Sequence, residues 1–291
     1  MKTSIVTFGR NDGYKEKERF LIHMKVLLDT FDEVNYVDWN SDVDKGSFLY
    51  EIIDDLPKTG KIKHFVVPPD AHNFLFNGIK GVPKVVNNLA FNLALKRTDA
   101  DWVASTTLDN IPPLREELEE FIKNSKKDTF YTFSRRDADY DEVVKHQDNL
   151  IEYRKYLGTI TEPRYFPARV TPNDEYSIIN CCGDFQFAPR KIWHDIKGIE
   201  ERMVFNCFID TNTQKKVVLN GYNLEVIYDI PMYHMSHVNK LPQGNNGVVH
   251  EAAEKEPPVY NDAWYWVEEF KESENENSWG FGDTEIEFEI F

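Results

Sequence analysis

The chain has 291 residues, of which 41% are hydrophobic and 14% aromatic, so it can bury the core of one large domain or of two small ones. Its 50 acidic residues outnumber its 34 lysines and arginines, and the formal charge of −16 disfavours general binding to nucleic acids and to anionic lipid surfaces. A phosphorylated ligand would therefore need local positive charge from helix N-termini, a few arginines or lysines, or a divalent metal ion.

Short β-rich runs alternate with helical patterns in the first half of the chain. Strands are predicted at residues 4–8, 34–39, 64–67 and 102–107, and helices at residues 15–30, 48–56, 82–96 and from Pro112-Pro113 through Ile122. Alternation at this spacing predicts an α/β fold with a Rossmann-like, mostly parallel central sheet and helices on both faces. Such sheets bind ligands at the carboxyl ends of their strands, so we expect the chemistry there.

The second half of the chain is less regular. A strand at 130–133 precedes a charged loop at 135–142 and a segment of loop formers at 163–175, and strand and helix patterns resume over 178–238. In the tail from Glu251, acidic residues alternate with aromatic ones. The aromatic rings are expected to pack on the rest of the domain: Trp264, Trp266, Trp279 and Phe281.

Cysteine usage and apolar run lengths favour a soluble protein. Three cysteines cannot form a disulfide framework and are expected to be reduced core thiols: Cys181, Cys182 and Cys207. The first 20 residues turn polar too soon for a signal peptide, and no later apolar stretch approaches the roughly 20 residues of a membrane span. We therefore expect a cytoplasmic protein without a membrane span.

Several common catalytic motifs are absent from the sequence. It contains no G-x-x-x-x-G-K-[ST] loop, no G-x-G-x-x-G after the first strand, no G-x-S-x-G elbow and no H-E-x-x-H helix. Kinase-like, classical dinucleotide-binding, α/β-hydrolase and zincin functions therefore lose their usual support.

Polar residues follow three of the predicted strands. The turn at 9–13 carries Arg10, which could meet a phosphate, although this segment taken alone is better explained as an ordinary strand-to-helix turn. Asp38 suits a base or a ribose hydroxyl, the alternative being a capping residue. Asp109 is a natural anchor for a divalent cation that bridges two phosphates, the alternative being a helix N-cap before Pro112.

The order of motifs in the second half of the chain is informative. After residues 182–185 come a helix, an acidic turn at 198–201, an acid in 208–211, a Gly-aromatic turn at 220–222 and a strand ending in histidine at 231–237. This order resembles the second half of the GT-A glycosyltransferases, and the first half of the chain fits the same family. In the first half, Asp38 stands where such enzymes read the nucleotide and Asp109 where they have an Asp-x-Asp metal motif. The helix from Asn88 through Ala94 resembles their Arg-Asn-x-Gly-x-x-x-Ala helix.

This resemblance covers residues 3–238 and implies a GT-A-like fold. It implies one catalytic domain over 1–250, with a nucleotide-binding half at 1–111 and an acceptor half at 112–250, followed by an irregular C-terminal extension at 251–291. The chain is further similar to the soluble glycosyltransferases that large algal viruses encode, which implies a viral protein in the host cytoplasm.

The resemblance also implies an activity, namely transfer of a hexose or pentose from a UDP- or GDP-sugar to a hydroxyl of a glycan or glycoprotein acceptor. It implies these donor-binding residues: Thr7, Gly9, Arg10, Asp38, Asn88 and Asp109. Asp109 would hold Mn²⁺ or Mg²⁺ together with His234 or His237. Asp210 would be the general base of an inverting reaction, and Asp184 would orient the acceptor.

Three departures from the family pattern qualify these roles. Thr107 replaces the first acid of the metal motif, Ile209 replaces the glutamate of a usual Glu-Asp pair, and Asn87 stands where arginine is common. The lost acid leaves metal dependence open, whereas Asp210 keeps a base available.

Structural roles compete with the catalytic ones. His234 and His237 are three residues apart and would face opposite ways on a regular strand, so that only one would reach a metal unless the strand bends. Asp210 could be a helix N-cap, and Asp184 a buried acid bonded to backbone amides.

Two other functions stay open. A sugar nucleotidyltransferase would share the Rossmann-like half and the metal, but its Gly-rich basic loop after strand one is represented only by Gly9, Arg10 and Gly13. A non-catalytic carbohydrate-binding protein derived from the fold would explain the depleted metal motif. The sequence leaves undecided the sugar, the base, the acceptor, the stereochemistry and the oligomeric state.

Overall fold

The computed structural model describes residues 1–11, 17–79, 82–160, 169–170, 183–204, 209–236, 278–282 and 286–291. Within these residues ten strands form one mixed sheet: β1 (Thr3–Gly9), β2 (Glu33–Trp39), β3 (Ile62–Val67), β4 (Trp102–Thr106), β5 (Asn110–Ile111), β6 (Thr129–Ala138), β7 (Arg169–Val170), β8 (Phe185–Pro189), β9 (Asn223–Met235) and β10 (Glu289–Ile290). The strand order is β10-β3-β2-β1-β4-β8-β6-β9-β5, with β7 also paired to β9.

The longest ladders of this sheet are parallel. Strand β1 pairs in parallel with β2 and β4, β2 with β3, and β6 with β9, whereas β8 lies antiparallel between β4 and β6. The described helices are α1 (Lys17–Thr30), α2 (Phe48–Ile52), α3 (Pro69–Leu75), α4 (Asn87–Leu95), α5 (Arg115–Asn124), α6 (Tyr140–Lys145), α7 (Leu150–Ile160), α8 (Arg190–Asp195) and α9 (Ile209–Leu219).

Two apolar cores fill the opposite faces of the sheet. Successive side chains of a strand point to opposite faces, so Ile5 of β1 belongs to the core under α1, α2 and α5, and Val6 to the core under α4, α8 and α9. The predicted α/β fold, with a mostly parallel sheet and helices on both faces, is confirmed. In the part of the chain that is described, no helix is long and apolar enough to cross a membrane.

The prediction of a charged loop at 135–142 is wrong. Strand β6 continues through Ala138, with a register shift against β9 between Phe133 and Arg135, and α6 begins at Tyr140. The charged side chains stay in the strand because they find partners across it: Arg135 forms an ion pair with Asp137 and hydrogen bonds to a neighbouring strand. Periodicity cannot reveal such partners.

Other boundaries also differ from the sequence prediction. Helix α3 follows directly on Pro68, because proline is compatible with the first turn of a helix as well as with the end of a strand. The helix expected from residue 82 begins at Asn87. Of the predicted loop at 163–175, only β7 lies in the described residues, and the three cysteines, Trp264 and Trp266 lie outside them.

The described residues of the C-terminal extension lie against the body. Trp279 is buried, its ring meets the ring of His194 edge-on at 5.3 Å, and the Lys96 ammonium lies 4.7 Å from its centroid. Phe281 lies 6.4 Å from Trp39 between ring centroids. Strand β10 adds to the exposed edge of β3 and so covers backbone groups that would otherwise be unpaired.

Candidate functional site

Two adjoining cavities lie at the carboxyl ends of β1 and β4. The first has a volume of about 340 Å³ and the second about 170 Å³. Phe8, Asn87 and Thr107 line both cavities. This is the edge at which an α/β sheet presents loops to a ligand.

The first cavity is cationic. Arg10, Arg19 and Lys84 line it, and among its described lining residues the only acid is Asp109. In a chain of net charge −16, three cations around one carboxylate make a local region suited to an anion.

Contacts outside the cavity hold the two arginines in place. Arg10 donates to the backbone carbonyl of Asn40 and to the carboxylate of Asp42. Arg19 donates to the Ser236 carbonyl at 3.2 Å, and its guanidinium carbon lies 4.5 Å from the centroid of the Tyr140 ring. Both side chains are thus preorganised, which reduces the entropy lost when they bind a ligand.

The two chain segments that carry Asp109 and His234 meet in the sheet. Asn110 of β5 pairs in register with His234 of β9, and the Nε2 atom of His234 lies 3.1 Å from Asp109 Oδ2. The Thr107 hydroxyl donates to Asp109 Oδ1 at 2.5 Å. The structure therefore brings these two sequence-predicted residues together, while His237 lies outside the described residues.

Gly9 allows the loop that carries Asp109 to approach β1. A Cβ atom at Gly9 would lie only 2.2 Å from Leu108 Cδ1. A side chain at this position would therefore displace Leu108, the residue next to Asp109.

Thr7 is buried and does not line either cavity. Its hydroxyl lies 3.0 Å from His23 Nε2, and His23 Nδ1 lies 2.6 Å from the Asn110 carbonyl oxygen. Because that carbonyl can only accept, Nδ1 carries the hydrogen and Nε2 accepts from Thr7. Burial lowers the pKa of His23 to about 4 and keeps it neutral, so Thr7 acts here by holding the segment around Asn110.

Asp184 and Asp210 line the second cavity. The side chain of Asp210 packs against Gly183, where a Cβ atom would lie 2.2 Å from the Asp210 Cβ. Burial raises the pKa of Asp210, the Thr211 N–H that donates to its Oδ1 at 2.8 Å lowers it, and the charge of Asp184 raises it again. The net pKa is higher than that of an ordinary aspartate, as suits a general base.

Arg135 connects the acids of the two cavities. Its guanidinium donates to Asp184 Oδ2 at 2.9 Å and to Asp137 Oδ1 at 2.8 Å, and its second terminal nitrogen lies 2.8 Å from His234 Nδ1. Since a guanidinium only donates, His234 Nδ1 accepts this bond and Nε2 carries the hydrogen that faces Asp109.

Besides Thr7 and His234, two more sequence-predicted residues, Asp38 and Asn88, lie outside the linings of both cavities. Asp38 is 2% exposed, accepts from the Ser41 hydroxyl at 2.6 Å, and has a pKa that burial raises. The carboxamide of Asn88 donates to the backbone carbonyls of Glu200 and Met203, whereas its neighbour Asn87 lines both cavities. On a helix, adjacent residues point about 100° apart, so a shift of one residue moves the side chain to another face.

Four residues of the site were not identified from the sequence: Arg19, Lys84, Asn87 and Arg135. Asn87 was noted only as a departure from the family pattern, and Arg19 resembles any polar residue of an amphipathic helix. The requirement for local cations in an acidic chain was the one available signal, and it does not say which cations they are.

Among the described residues, no group of three or more histidine, cysteine, aspartate or glutamate side chains lies close enough to hold a metal ion. Asp109 and His234 provide a pair. A metal at Nε2 of His234 would require the hydrogen on Nδ1 instead. Nδ1 would then donate to Asp137 Oδ1, 3.1 Å away, and would no longer accept from Arg135. The pair fits a cation that takes its other ligands from phosphate and water.

No protein-family model and no curated protein matches the sequence. Solved structures are similar to it in fold. S. aureus TarS 1–349 in complex with UDP is 16% identical with a TM-score of 0.50 over 87% of this chain and 65% of that one. A longer TarS structure is 14% identical with a TM-score of 0.51 over 91% and 41% of the respective chains.

The mannosyltransferase PcManGT from Pyrobaculum calidifontis, in complex with GDP-Man and Mn²⁺, is 14% identical with a TM-score of 0.50 over 82% of this chain and 58% of that one. The chain thus spans less than two thirds of the length of each of these proteins. At such identities the likeness concerns the fold. The chain has a GT-A-like α/β fold, as the motif order in its sequence implies.

Proposed function

We propose that the chain is a glycosyltransferase that moves a sugar from a nucleoside diphosphate sugar to a hydroxyl group of a glycan or glycoprotein. The observation that carries this proposal is the convergence of Asp109, Asp184 and Asp210, from distant parts of the sequence, on two adjoining cavities. One cavity is cationic and the other contains an acid with a raised pKa. A transferase needs such a pair of adjoining sites, one that binds the anionic donor and one that holds the acceptor beside a base.

The first cavity would hold the donor diphosphate. Arg10, Arg19 and Lys84 would neutralise the charge that develops on the departing diphosphate, which is the largest electrostatic demand of the reaction. The fold likeness to structures containing UDP and GDP-Man supports a UDP- or GDP-sugar carrying a hexose or pentose. We assign residues 1–111 to donor binding and 112–250 to the acceptor side.

Asp109 and His234 would be the protein ligands of Mn²⁺ or Mg²⁺, with His237 as a further candidate outside the described residues. When bound, such an ion supplies Lewis acidity toward the diphosphate. The Mn²⁺ of the PcManGT structure supports this assignment.

Asp210 would be the general base. Its carboxylate takes the proton of the acceptor hydroxyl while the hydroxyl oxygen bonds to the anomeric carbon. The bond from that carbon to the diphosphate oxygen breaks, and its electron pair leaves with the diphosphate. Attack from the side opposite the leaving group gives inversion. Asp184, on the same cavity, would orient the acceptor.

Titration calorimetry with UDP and GDP, with and without Mn²⁺, combined with a hydrolysis assay on UDP-glucose and GDP-mannose, tests the proposal. We expect binding of one nucleotide, roughly tenfold weaker binding for Asp109→Ala, and a loss of turnover of roughly 10²-fold or more for Asp210→Asn with nearly unchanged binding. Asp54→Asn, at an exposed acid of the turn at 53–55, is the matched control.

Each alternative outcome has a distinct meaning. A chain that binds no nucleotide is neither kind of enzyme. Nucleotide binding without turnover favours a carbohydrate-binding protein, and pyrophosphate release from UTP and a sugar 1-phosphate identifies a nucleotidyltransferase. Normal turnover by Asp210→Asn would refute the base assignment.

A further inference from the structure

Arg135 owes its position to an irregularity of the sheet. The parallel register between β6 and β9 shifts between Phe133 and Arg135, and beyond the shift Arg135 lies beside Met232 and Asp137 beside His234. Register shifts of this kind turn a side chain toward a new neighbour and commonly lie next to functional sites.

The guanidinium of Arg135 meets three segments of the chain. It binds Asp137 in its own strand, His234 in β9 and Asp184 at the start of β8, and its side chain is 19% exposed. The backbone carbonyl of Asp184 also accepts from the Asn110 amide at 3.1 Å. The backbone carbonyl of Asp184 is therefore bonded to the residue after Asp109, and its carboxylate is bonded to Arg135, which also binds His234.

We propose that Arg135 is a positioning residue of the transfer reaction, whose guanidinium holds Asp184 in a fixed place between the Asp109–His234 pair and Asp210 and balances its charge. This inference rests on the proposed function. With Arg135 bound to it, Asp184 serves as a counter-ion and a contact for the acceptor, and Asp210 alone serves as the base.

Electrostatics gives this role a measurable consequence. Among the described residues, Asp184 is a charged side chain that raises the pKa of Asp210, while hydrogen bonds from the Thr211 and Gly183 backbones lower it. Removing Arg135 takes away the positive charge 2.9 Å from Asp184, so the negative charge of Asp184 acts more strongly on Asp210 and proton loss from Asp210 needs a higher pH. A variant without the guanidinium should therefore change both the turnover and its pH dependence.

Three variants separate this role from simple structural support. Arg135→Gln removes the charge and the fork of donors, and Arg135→Lys keeps the charge but offers one compact ammonium that cannot reproduce the fork. Arg136→Gln is the matched control, because the neighbouring residue of the same strand points to the other face, where it donates to the Gly158 carbonyl. Donor hydrolysis is measured from pH 5 to 9, with thermal melts and nucleotide titrations of each variant.

For Arg135→Gln we expect kcat to fall at least roughly tenfold while donor KM changes little, because the donor cavity is intact. The acid limb of its kcat profile should move about half a pH unit or more upward. Arg135→Lys should return that limb toward the wild-type position without restoring kcat, and Arg136→Gln should behave as wild type.

Two results would overturn the inference while leaving the proposed function in place. One is an Arg135→Gln variant that matches Arg136→Gln in kcat and pH profile. The other is a variant with lowered activity and melting temperature but the wild-type pH profile, which is what loss of structural support alone would give. A wild-type chain that turns over no nucleotide sugar would instead refute the proposed function and the inference with it.

Discussion

Replacing Gly183 by alanine should disable the proposed general base, Asp210, without changing its chemical identity. Gly183 precedes Asp184, and an added Cβ atom would lie 2.2 Å from the Asp210 Cβ and 3.1 Å from its Cγ. The nearest of the Asp210 atoms that it meets is the Cβ, which is fixed to the backbone at the start of α9 and cannot move away by a change of rotamer. The strain must therefore be relieved by moving the backbone of one segment.

The size of the effect follows from that contact. Carbon atoms pack at about 3.5 to 4.0 Å, so the two Cβ atoms must separate by more than ~1 Å. A displacement of this size at a reacting group costs on the order of 10²-fold in rate. We expect kcat of Gly183→Ala to fall by about that factor, with nucleotide affinity changed by less than about threefold, because the cationic cavity does not contain Gly183.

Steady-state donor hydrolysis and calorimetry with UDP or GDP measure these two quantities on the same preparation. Gly158→Ala in α7 is a suitable control, because Gly158 is exposed and, within the described part of the chain, an added Cβ would meet the Tyr233 hydroxyl alone, at 3.2 Å. Wild-type kcat in Gly183→Ala would show that Asp210 is not positioned by this contact and would refute the reasoning.

Three further predictions follow from the site and its supports. Lys84→Met should weaken UDP or GDP binding roughly tenfold in calorimetry, whereas Lys45→Met, whose ammonium pairs with Asp42 and does not line the first cavity, should leave it unchanged. The pKa of His23 falls from 6.5 to about 4 on folding, so His23 adds its full contribution to the free energy of unfolding above pH 6.5, and about 3 kcal/mol of it is lost between pH 6.5 and 4. The free energy of unfolding of His23→Gln, measured in urea, should therefore depend less on pH than that of the wild type. An unchanged pH dependence would contradict this. The raised pKa of Asp210 means that folding disfavours its ionised form, so the free energy of unfolding falls as the pH rises above 3.8. The melting temperature of Asp210→Asn should therefore exceed that of the wild type at pH 7.5, and the difference should disappear toward pH 4. A melting temperature below that of the wild type at pH 7.5 would refute this prediction.

The strand ends were the part of the site that the sequence could predict. Parallel strands direct their carboxyl ends to one edge of the sheet, so Asp109, which follows β4, was expected at the edge where a ligand binds. The structure places Asp109 beside His234 and places Asp184 and Asp210 on one cavity. These are consequences of topology, which strand and helix alternation predicts well.

The orientation of individual side chains could not be predicted in the same way. Asn87 and Asn88 are neighbouring residues of the same type, and the sequence does not tell them apart. Asn87 lines the cavities, whereas the side-chain amide of Asn88 donates to the backbone carbonyls of Glu200 and Met203. Arg135 looked like part of a loop because its partners, Asp184 and His234, come from segments that local patterns do not connect. Long-range pairing of this kind overrides local propensity.

The replacement of the first acid of the metal motif by Thr107 is consistent with the charges around it. The Thr107 hydroxyl donates to Asp109 and accepts from the Asn110 amide at 2.8 Å, so this position still fixes the remaining acid. The cavity nevertheless carries one negative charge fewer than the usual motif would give it, and three cations line it. Electrostatic attraction in a partly enclosed site is screened less than at the surface. The missing negative charge therefore strengthens the attraction of a ligand with two or more negative charges most. If the first cavity holds a diphosphate, as we propose, these cations attract it to the carboxyl ends of β1 and β4, where Asp109 is held, although the chain as a whole has a charge of −16.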